Sequence, residues 1–172
     1  VIHYMGDAIR QYFGDGKKFG LKIDYVEQKA VLGTGNAVSL VEPYIKDEFL
    51  LIYGDLIFST EVVKNVIDLY KKEKPAATMA VVSVENPEDY GIVELEDEKY
   101  VKRIVEKPDR KEAPSNLANA GIYVFSTEIF DKIRETQASA RGEWEITDAI
   151  SQLSQEKKTV LAVKISREDW IN

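Results

Sequence analysis

The sequence predicts an α/β domain built on a mixed, mostly parallel sheet with helices on both faces and an antiparallel excursion. Strand-like and helix-like stretches alternate through the first half of the chain, the order of strand–helix–strand units. Within that half, Phe49–Phe58 (FLLIYGDLIF) is so dense in large apolar side chains that it reads as a strand buried on both faces. After Pro75 the pattern changes. Ala77–Val84, Gly91–Leu95 and Tyr100–Val105 read as successive strands, and Asp97-Glu98 joins the last two as a tight hairpin connection.

The remaining elements follow in chain order. Val1-Ile2-His3-Tyr4 reads as the tail of a strand, and a short helix follows with Ile9, Tyr12 and Phe13 as its apolar stripe and Gly14 as its stop. Phe13–Gly20 is a turn-rich loop; Leu21, Ile23 and Tyr25 then alternate with Lys22 and Asp24 as a strand ending near Glu27-Gln28. Leu32–Ala37 (LGTGNA) is a glycine-rich entry to a helix carrying Val38, Leu40 and Val41, which Pro43 ends or bends. Ser59 or Thr60 caps an amphipathic helix with Val62, Val63, Val66, Ile67, Leu69 and Tyr70 inward. Lys71, Lys72 and Lys74 complement the dipole of that helix, and Pro75 stops it. Asp109–Ser115 is a charged surface loop, Ala120–Phe125 a strand, and Thr127–Arg134 a helix with Ile129, Phe130 and Ile133 inside. Gln137–Gly142 is a small-residue loop, Ile146–Leu153 a helix and Val160–Ile165 a strand.

With 172 residues the chain fits a single domain, 1–172, and can bury a core. The absence of cysteine excludes disulfides and thiolate metal sites and favours a cytoplasmic setting. No apolar stretch approaches the ~20 residues of a membrane span, and no signal-peptide pattern opens the chain. A net charge of −7 argues against a nucleic-acid or membrane-surface partner, each of which asks for a basic face. It leaves phosphorylated small molecules open, because a divalent cation and a few lysines set the local field. His3 is the only histidine, so neither a Ser-His-Asp triad nor a multi-histidine metal site is expected. Catalysis would run on carboxylates, amides, lysines, backbone dipoles and metal.

Asp55 stands at the exit of Phe49–Phe58, where open α/β sheets place their ligands. Gly54 before it lets a substrate or another backbone approach closely. Taken alone, the pair is equally compatible with a simple turn cap. The same holds for other short motifs: Gln28 as a solvated strand end, Tyr90-Gly91 as the turn into a strand, Glu106-Lys107 as a solvated pair before Pro108.

In combination and order, these motifs carry more. Phe13-Gly-Asp-Gly, Tyr25–Gln28 with Gly33-Thr-Gly-x-Ala37, Gly54-Asp55, Tyr90-Gly91-Ile-Val, Glu106-Lys107-Pro108, Asn119-Ala-Gly-Ile-Tyr123 and Trp170-x-Asn172 together resemble the sugar-1-phosphate nucleotidyltransferases, the nucleoside-diphosphate-sugar pyrophosphorylases. The resemblance runs from end to end of the chain and implies a Rossmann-like catalytic domain. It also implies a first strand and a glycine-rich loop of the form G-x-G-[ST]-R-[LM]-x-P, expected to lie before Val1, which makes the chain an internal piece of that domain.

The resemblance further implies transfer of a nucleotidyl group from UTP or dTTP to a sugar-1-phosphate, with pyrophosphate leaving and Mg²⁺ as cofactor. Asp55 and Asn172 would be the metal ligands; asparagine at the second position is implied for uridylyltransferases acting on N-acetylhexosamine phosphates. Gln28, Gly33, Thr34 and Gly54 would meet the nucleotide. Tyr90, Gly91, Glu106, Lys107, Asn119 and Tyr123 would meet the sugar phosphate, although strand alternation can turn Tyr123 inward. Glu143, Thr147 and Asp148, in GEWEITD, match a stretch at the rim of the sugar site; Thr147-Asp148 also fits a helix start. A homo-oligomer is compatible with the sequence. A catalytically silent relative that binds sugar nucleotides stands as the alternative. A glycosyltransferase is disfavoured because Leu56 and Ile57 follow Asp55 where that class places an Asp-x-Asp.

Overall fold

A computed structural model describes residues 1–139, 141–156 and 159–172. Helix α1 (Gly6–Phe13) stops at Gly14, whose N–H bonds to the Arg10 carbonyl. Helix α2 (Thr34–Ser39) starts from Gly33, and Pro43 opens a single tight turn, Glu42–Tyr44, beyond it. Strands β1 (Phe49–Ile52) and β2 (Ile57–Phe58) flank Gly54-Asp55, and helix α3 (Thr60–Glu73) ends before Pro75. Then come β3 (Ala77–Ser83), β4 (Gly91–Glu96), β5 (Tyr100–Glu106) and β6 (Leu117–Phe125). Helices α4 (Glu128–Glu135) and α5 (Ile146–Gln155) and strands β7 (Val160–Ile165) and β8 (Trp170–Ile171) complete the chain. The expected Gln137–Gly142 loop includes one residue, 140, outside the described set.

The main sheet has the order β1-β6-β3-β7-β5-β4, with β6 also touching β4. Strands β1, β3, β4 and β7 point one way and β5 and β6 the other, as their antiparallel ladders require. The shared direction of most strands matches expectation. Because β6 lies between β1 and β3, however, β3–β7 is the one parallel ladder among the described residues. The β4–β5 pair is the expected hairpin, and both Asp97 and Glu98 adopt the positive φ that tight hairpin turns demand.

Alternation along the strands feeds two cores. Ala77, Met79 and Val81 of β3 face α2, α4 and α5, together with Tyr123, Phe125, Ile129, Phe130 and Ile150. Ala80 and Val82 face α3 and pack with Val62, Val66, Ile122, Val124 and Trp170. Helices thus cover both faces. All three expected inward residues of α4, Ile129, Phe130 and Ile133, are buried.

Three expectations are corrected. First, β1 is not buried on both sides within this chain: Leu50 is 40 % exposed, and among the described residues β1 pairs with β6 alone. Among the described residues no strand covers its outer edge, which opens on an apolar trench lined by Val38, Val41 and Ile45. Second, Leu21–Gln28 is extended but forms no strand. Among the described residues its one ladder contact is the bridge between Glu27 and Ile2, made by Ile2 N–H to the Val26 carbonyl and Gln28 N–H to the Ile2 carbonyl. Third, Ser59 sits at the start of α3 without a capping bond, and its hydroxyl is buried without a partner among the described residues.

Candidate active site

The candidate residues converge where β2, β4, β6 and β8 meet. A cavity of about 220 Å³ is lined by Asp55, Asn172, Tyr90, Gly91, Glu106, Lys107, Asn119 and Thr34. One wall is built by the short β2–β8 ladder, which pairs Ile57 with Ile171 and Phe58 with Trp170. Continuing that register places Leu56 opposite Asn172, with Asp55 next along the chain. Trp170 anchors the ladder: it is 2 % exposed and its indole N–H donates to the Ala120 carbonyl at 2.8 Å. Asp55 and Asn172 are themselves exposed and make no hydrogen bond or ion pair among the described residues. Two uncommitted oxygen donors on adjacent strands suit a hard divalent cation that completes its shell with phosphate oxygens and water.

The opposite wall comes from the β4–β5 hairpin. Gly91 pairs with Glu106, and a Cβ on Gly91 would lie 2.8 Å from Glu106 Oε2, so a side chain there would displace that carboxylate from its present position. Glu106 Oε2 accepts from the Thr147 hydroxyl at 3.2 Å. Lys107 is exposed, has a positive φ of 44°, and donates its backbone N–H to the Tyr90 carbonyl at 3.0 Å. Its ammonium has no carboxylate partner among the described residues. Asn119 reaches the cavity through a bulge in β6. Gly121 takes a φ of 73°, the Asn119 side chain accepts from its N–H at 3.1 Å, and the register with β3 shifts there.

Tyr123 does not reach the cavity. It is fully buried, stacks on Phe125, and donates its hydroxyl to Tyr53 at 3.2 Å. Period-two alternation along β6 sets this: Tyr123 shares a face with Leu117 and Phe125 and enters the α2–α4–α5 core, while Ala118, Ala120, Ile122 and Val124 face α3. Tyr53 does line the cavity, and its hydroxyl also reaches Thr34 and Asn119. Burial pushes both phenols above the usual tyrosine range, so they serve as neutral hydrogen-bonding groups.

The expected nucleotide residues divide. Thr34 lines the cavity, whereas Gln28 and Gly54 do not. Gln28 is buried, and its amide N–H₂ donates to Gly33 O at 3.1 Å and Asn36 Oδ1 at 2.8 Å, so its donors are committed to bracing the glycine loop. Gly54 lies exposed above the apolar trench. Gly33 is held at φ 99°, and a Cβ there would stand 2.5 Å from the Trp144 carbonyl. The neighbouring bonds Gly35 N–H to Trp144 O and Trp144 N–H to Leu32 O tie the loop to the 143–146 segment. Gly33→Ala is therefore expected to lose about 2 kcal/mol or more of stability, from strained φ plus a backbone clash. Gly54→Ala, with nothing within 4 Å of its Cβ, should fall within about 0.5 kcal/mol of wild type. Urea unfolding of both variants checks the contrast.

A family model for nucleotidyl transferases matches residues 2–171. The chain belongs to the nucleotidyl transferase family. It is 41 % identical over 166 residues to the bifunctional protein GlmU of Methanocaldococcus jannaschii, covering 96 % of this chain and 37 % of that protein. It is 33 % identical to a glucose-1-phosphate thymidylyltransferase of Streptomyces griseus, covering 96 % of this chain and 46 % of the relative. The chain thus spans less than half the length of these relatives. Among solved structures, a putative glucose-1-phosphate thymidylyltransferase from Bacillus anthracis in complex with sucrose superposes with a TM-score of 0.81 at 30 % identity, over 94 % of this chain and 64 % of that one. A UDP-glucose pyrophosphorylase complexed with UDP-glucose gives 0.77 at 29 % identity, over 92 % and 64 %.

Sequence reasoning left several cleft residues of this nucleotidyl transferase unassigned. Glu145 is 5 % exposed and lines the cavity; Thr147, named only as part of a rim motif, holds Glu106. Arg141 pairs with Glu145 at 2.5 Å and stands 3.5 Å from Glu106. The GEWEITD stretch carried the signal, but Glu143 was the glutamate singled out. Asp148 lines a separate cleft beside Ser151 and Gln152, and burial raises its carboxyl above the ordinary range.

Proposed function

We propose that the protein containing this chain transfers a nucleotidyl group from UTP or dTTP to a sugar-1-phosphate, with Mg²⁺, releasing pyrophosphate. The observation that carries the reading is the convergence of Asp55, Asn172, Glu106, Lys107, Asn119 and Thr34 on one cavity. Family membership supplies the reaction class. A sugar phosphate is largely dianionic near neutral pH, its second pKa being about 6, so it attacks without a side-chain base. That suits a cleft without histidine. The remaining task is to bring two anions together in line and offset their repulsion.

Asp55 and Asn172 would hold the divalent cation, which supplies charge neutralisation at the transferred phosphorus. Lys107, an unpaired point charge at the rim, engages the sugar phosphate. Glu106, fixed by Thr147, accepts from sugar hydroxyls, and Asn119 offers both donor and acceptor to the ring. Thr34 and the Gly33–Gly35 turn present hydroxyl and backbone to the nucleotide. Because nucleoside triphosphates are cytoplasmic substrates, this reading places the protein in the cytoplasm. The test is a pyrophosphate-release screen of the full-length protein, with UTP and dTTP against several sugar-1-phosphates. Metal-dependent release with one pair is expected. Binding of a sugar nucleotide without release from any pair would instead favour the catalytically silent relative.

A further inference from the structure

Among the described residues Glu145 is the one buried carboxylate. Burial and the nearby charge of Glu106 both push its carboxyl above the ordinary range. A charge held there does not favour stability, even when paired, so its place in the fold asks for another reason. Its two oxygens face in different directions. One accepts from Arg141 Nη2 at 2.5 Å; the other lies 3.4 Å from the Thr34 hydroxyl, which donates to it. Thr34 Oγ1 in turn accepts from the Ile146 N–H at 3.0 Å, which fixes its orientation. Arg141 Nη2 also lies 3.5 Å from Glu106 Oε1. Thr34, Glu145, Arg141 and Glu106 therefore form one connected chain, from the glycine-loop half of the cleft to the sugar half.

We propose that Glu145 is a positioning residue that, acting through Arg141, couples the two halves of the cleft. The inference rests on the nucleotidyl-transfer reading. A nucleotide seated against the Gly33–Gly35 turn presses Thr34, already oriented by the Ile146 N–H, closer to Glu145 than its unliganded 3.4 Å, and Glu145 holds the guanidinium of Arg141. Arg141 is then kept at a distance from Glu106 that orients the carboxylate without occupying both of its oxygens. Without the charge on Glu145, Glu106, 3.5 Å away, becomes the ion-pair partner of Arg141, with Glu143 farther off. The guanidinium then takes up acceptor positions that sugar hydroxyls need. Nucleotide binding thus raises sugar-phosphate affinity, and by linkage the reverse also holds.

The test is initial-rate kinetics of the full-length protein, varying UTP or dTTP against glucose-1-phosphate or N-acetylglucosamine-1-phosphate, with the pair that turns over best. In wild type the KM for sugar phosphate falls as nucleotide approaches saturation. In Glu145→Gln that KM is expected to be about tenfold higher at saturating nucleotide and independent of nucleotide concentration. Its kcat should change much less, and its Tm should be unchanged or raised, since a desolvated charge has gone. Arg141 is 41 % exposed, so Arg141→Gln breaks the same chain from the surface and should also abolish the nucleotide dependence. Wild-type dependence persisting in both variants overturns the proposal. So does a joint fall of kcat, both affinities and Tm, which would mark a structural role alone. A wild-type protein that releases no pyrophosphate with any pair removes the nucleotidyl-transfer reading itself; turnover with intact coupling in the variants removes only this inference.

Discussion

Asp55→Ala in the full-length protein should abolish formation of sugar nucleotide and pyrophosphate while leaving the fold intact. Asp55 is exposed, makes no hydrogen bond or ion pair among the described residues, and lies beside Asn172 across the β2–β8 ladder. Its removal therefore leaves no buried group without a partner, and stability should change by about 0.5 kcal/mol or less. The effect on chemistry should be far larger. A bound cation stabilises transferring phosphoryl charge by several kcal/mol, so if Asp55 holds it as proposed, loss of that carboxylate should lower turnover on the order of a thousandfold. Pyrophosphate release measured beside a thermal melt separates the two effects. Turnover near the wild-type rate would refute the metal assignment, and an unfolded variant would show that Asp55 is structural.

Lys107→Ala should weaken sugar-1-phosphate binding about 10- to 100-fold, the worth of one charge-assisted hydrogen bond, and leave nucleotide binding nearly unchanged. The ammonium stands at the rim of the cavity without a carboxylate partner among the described residues. The backbone beneath it is held at φ 44° just before Pro108, a conformation that costs energy and persists because the N–H is pinned to Tyr90. Strain at a residue with an uncommitted charge fits a group aimed at a ligand. Titrating each substrate separately reads the asymmetry. Equal losses for both substrates would count against a sugar-phosphate role.

Much of the candidate site was legible because its residues follow one another along strands and turns. Tyr90-Gly91 and Glu106-Lys107 sit opposite each other because β4 and β5 form the hairpin that Asp97-Glu98 announces. Asp55 and Asn172 line one cavity because both flank short apolar segments that pair. Legibility ended where contacts distant in sequence take over. Gly121 is a single glycine in a strand-like run, yet its positive φ and the Asn119 bond to its N–H mark a shift of register with β3. The resemblance implies that Gln28, beside the Gly-Thr-Gly turn, meets the nucleotide. In the fold its amide donors are committed to that loop.

The pairing of β1 was hidden because ladder bonds use backbone groups that every residue carries alike. Apolar density in Phe49–Phe58 reports that the strand packs against something, and Phe49 does stack on Phe130, but it does not name β6 as the partner.

By itself, then, the sequence determined the α/β class, most element bounds, the hairpin, and the residues that hold opposite walls of the cleft. These depend on local periodicity, turn chemistry and motif order, all written within a few residues of one another. Only the tertiary structure decided the insertion of β6 between β1 and β3, the hydrogen bonds of Gln28 to the glycine loop, and the Thr34–Glu145–Arg141–Glu106 chain. Thr34 and Glu145 are 111 positions apart in sequence. Nothing local to either residue specifies that contact; it exists because the 143–146 segment is hydrogen-bonded to the glycine loop, which brings a threonine hydroxyl to a carboxylate withdrawn from water.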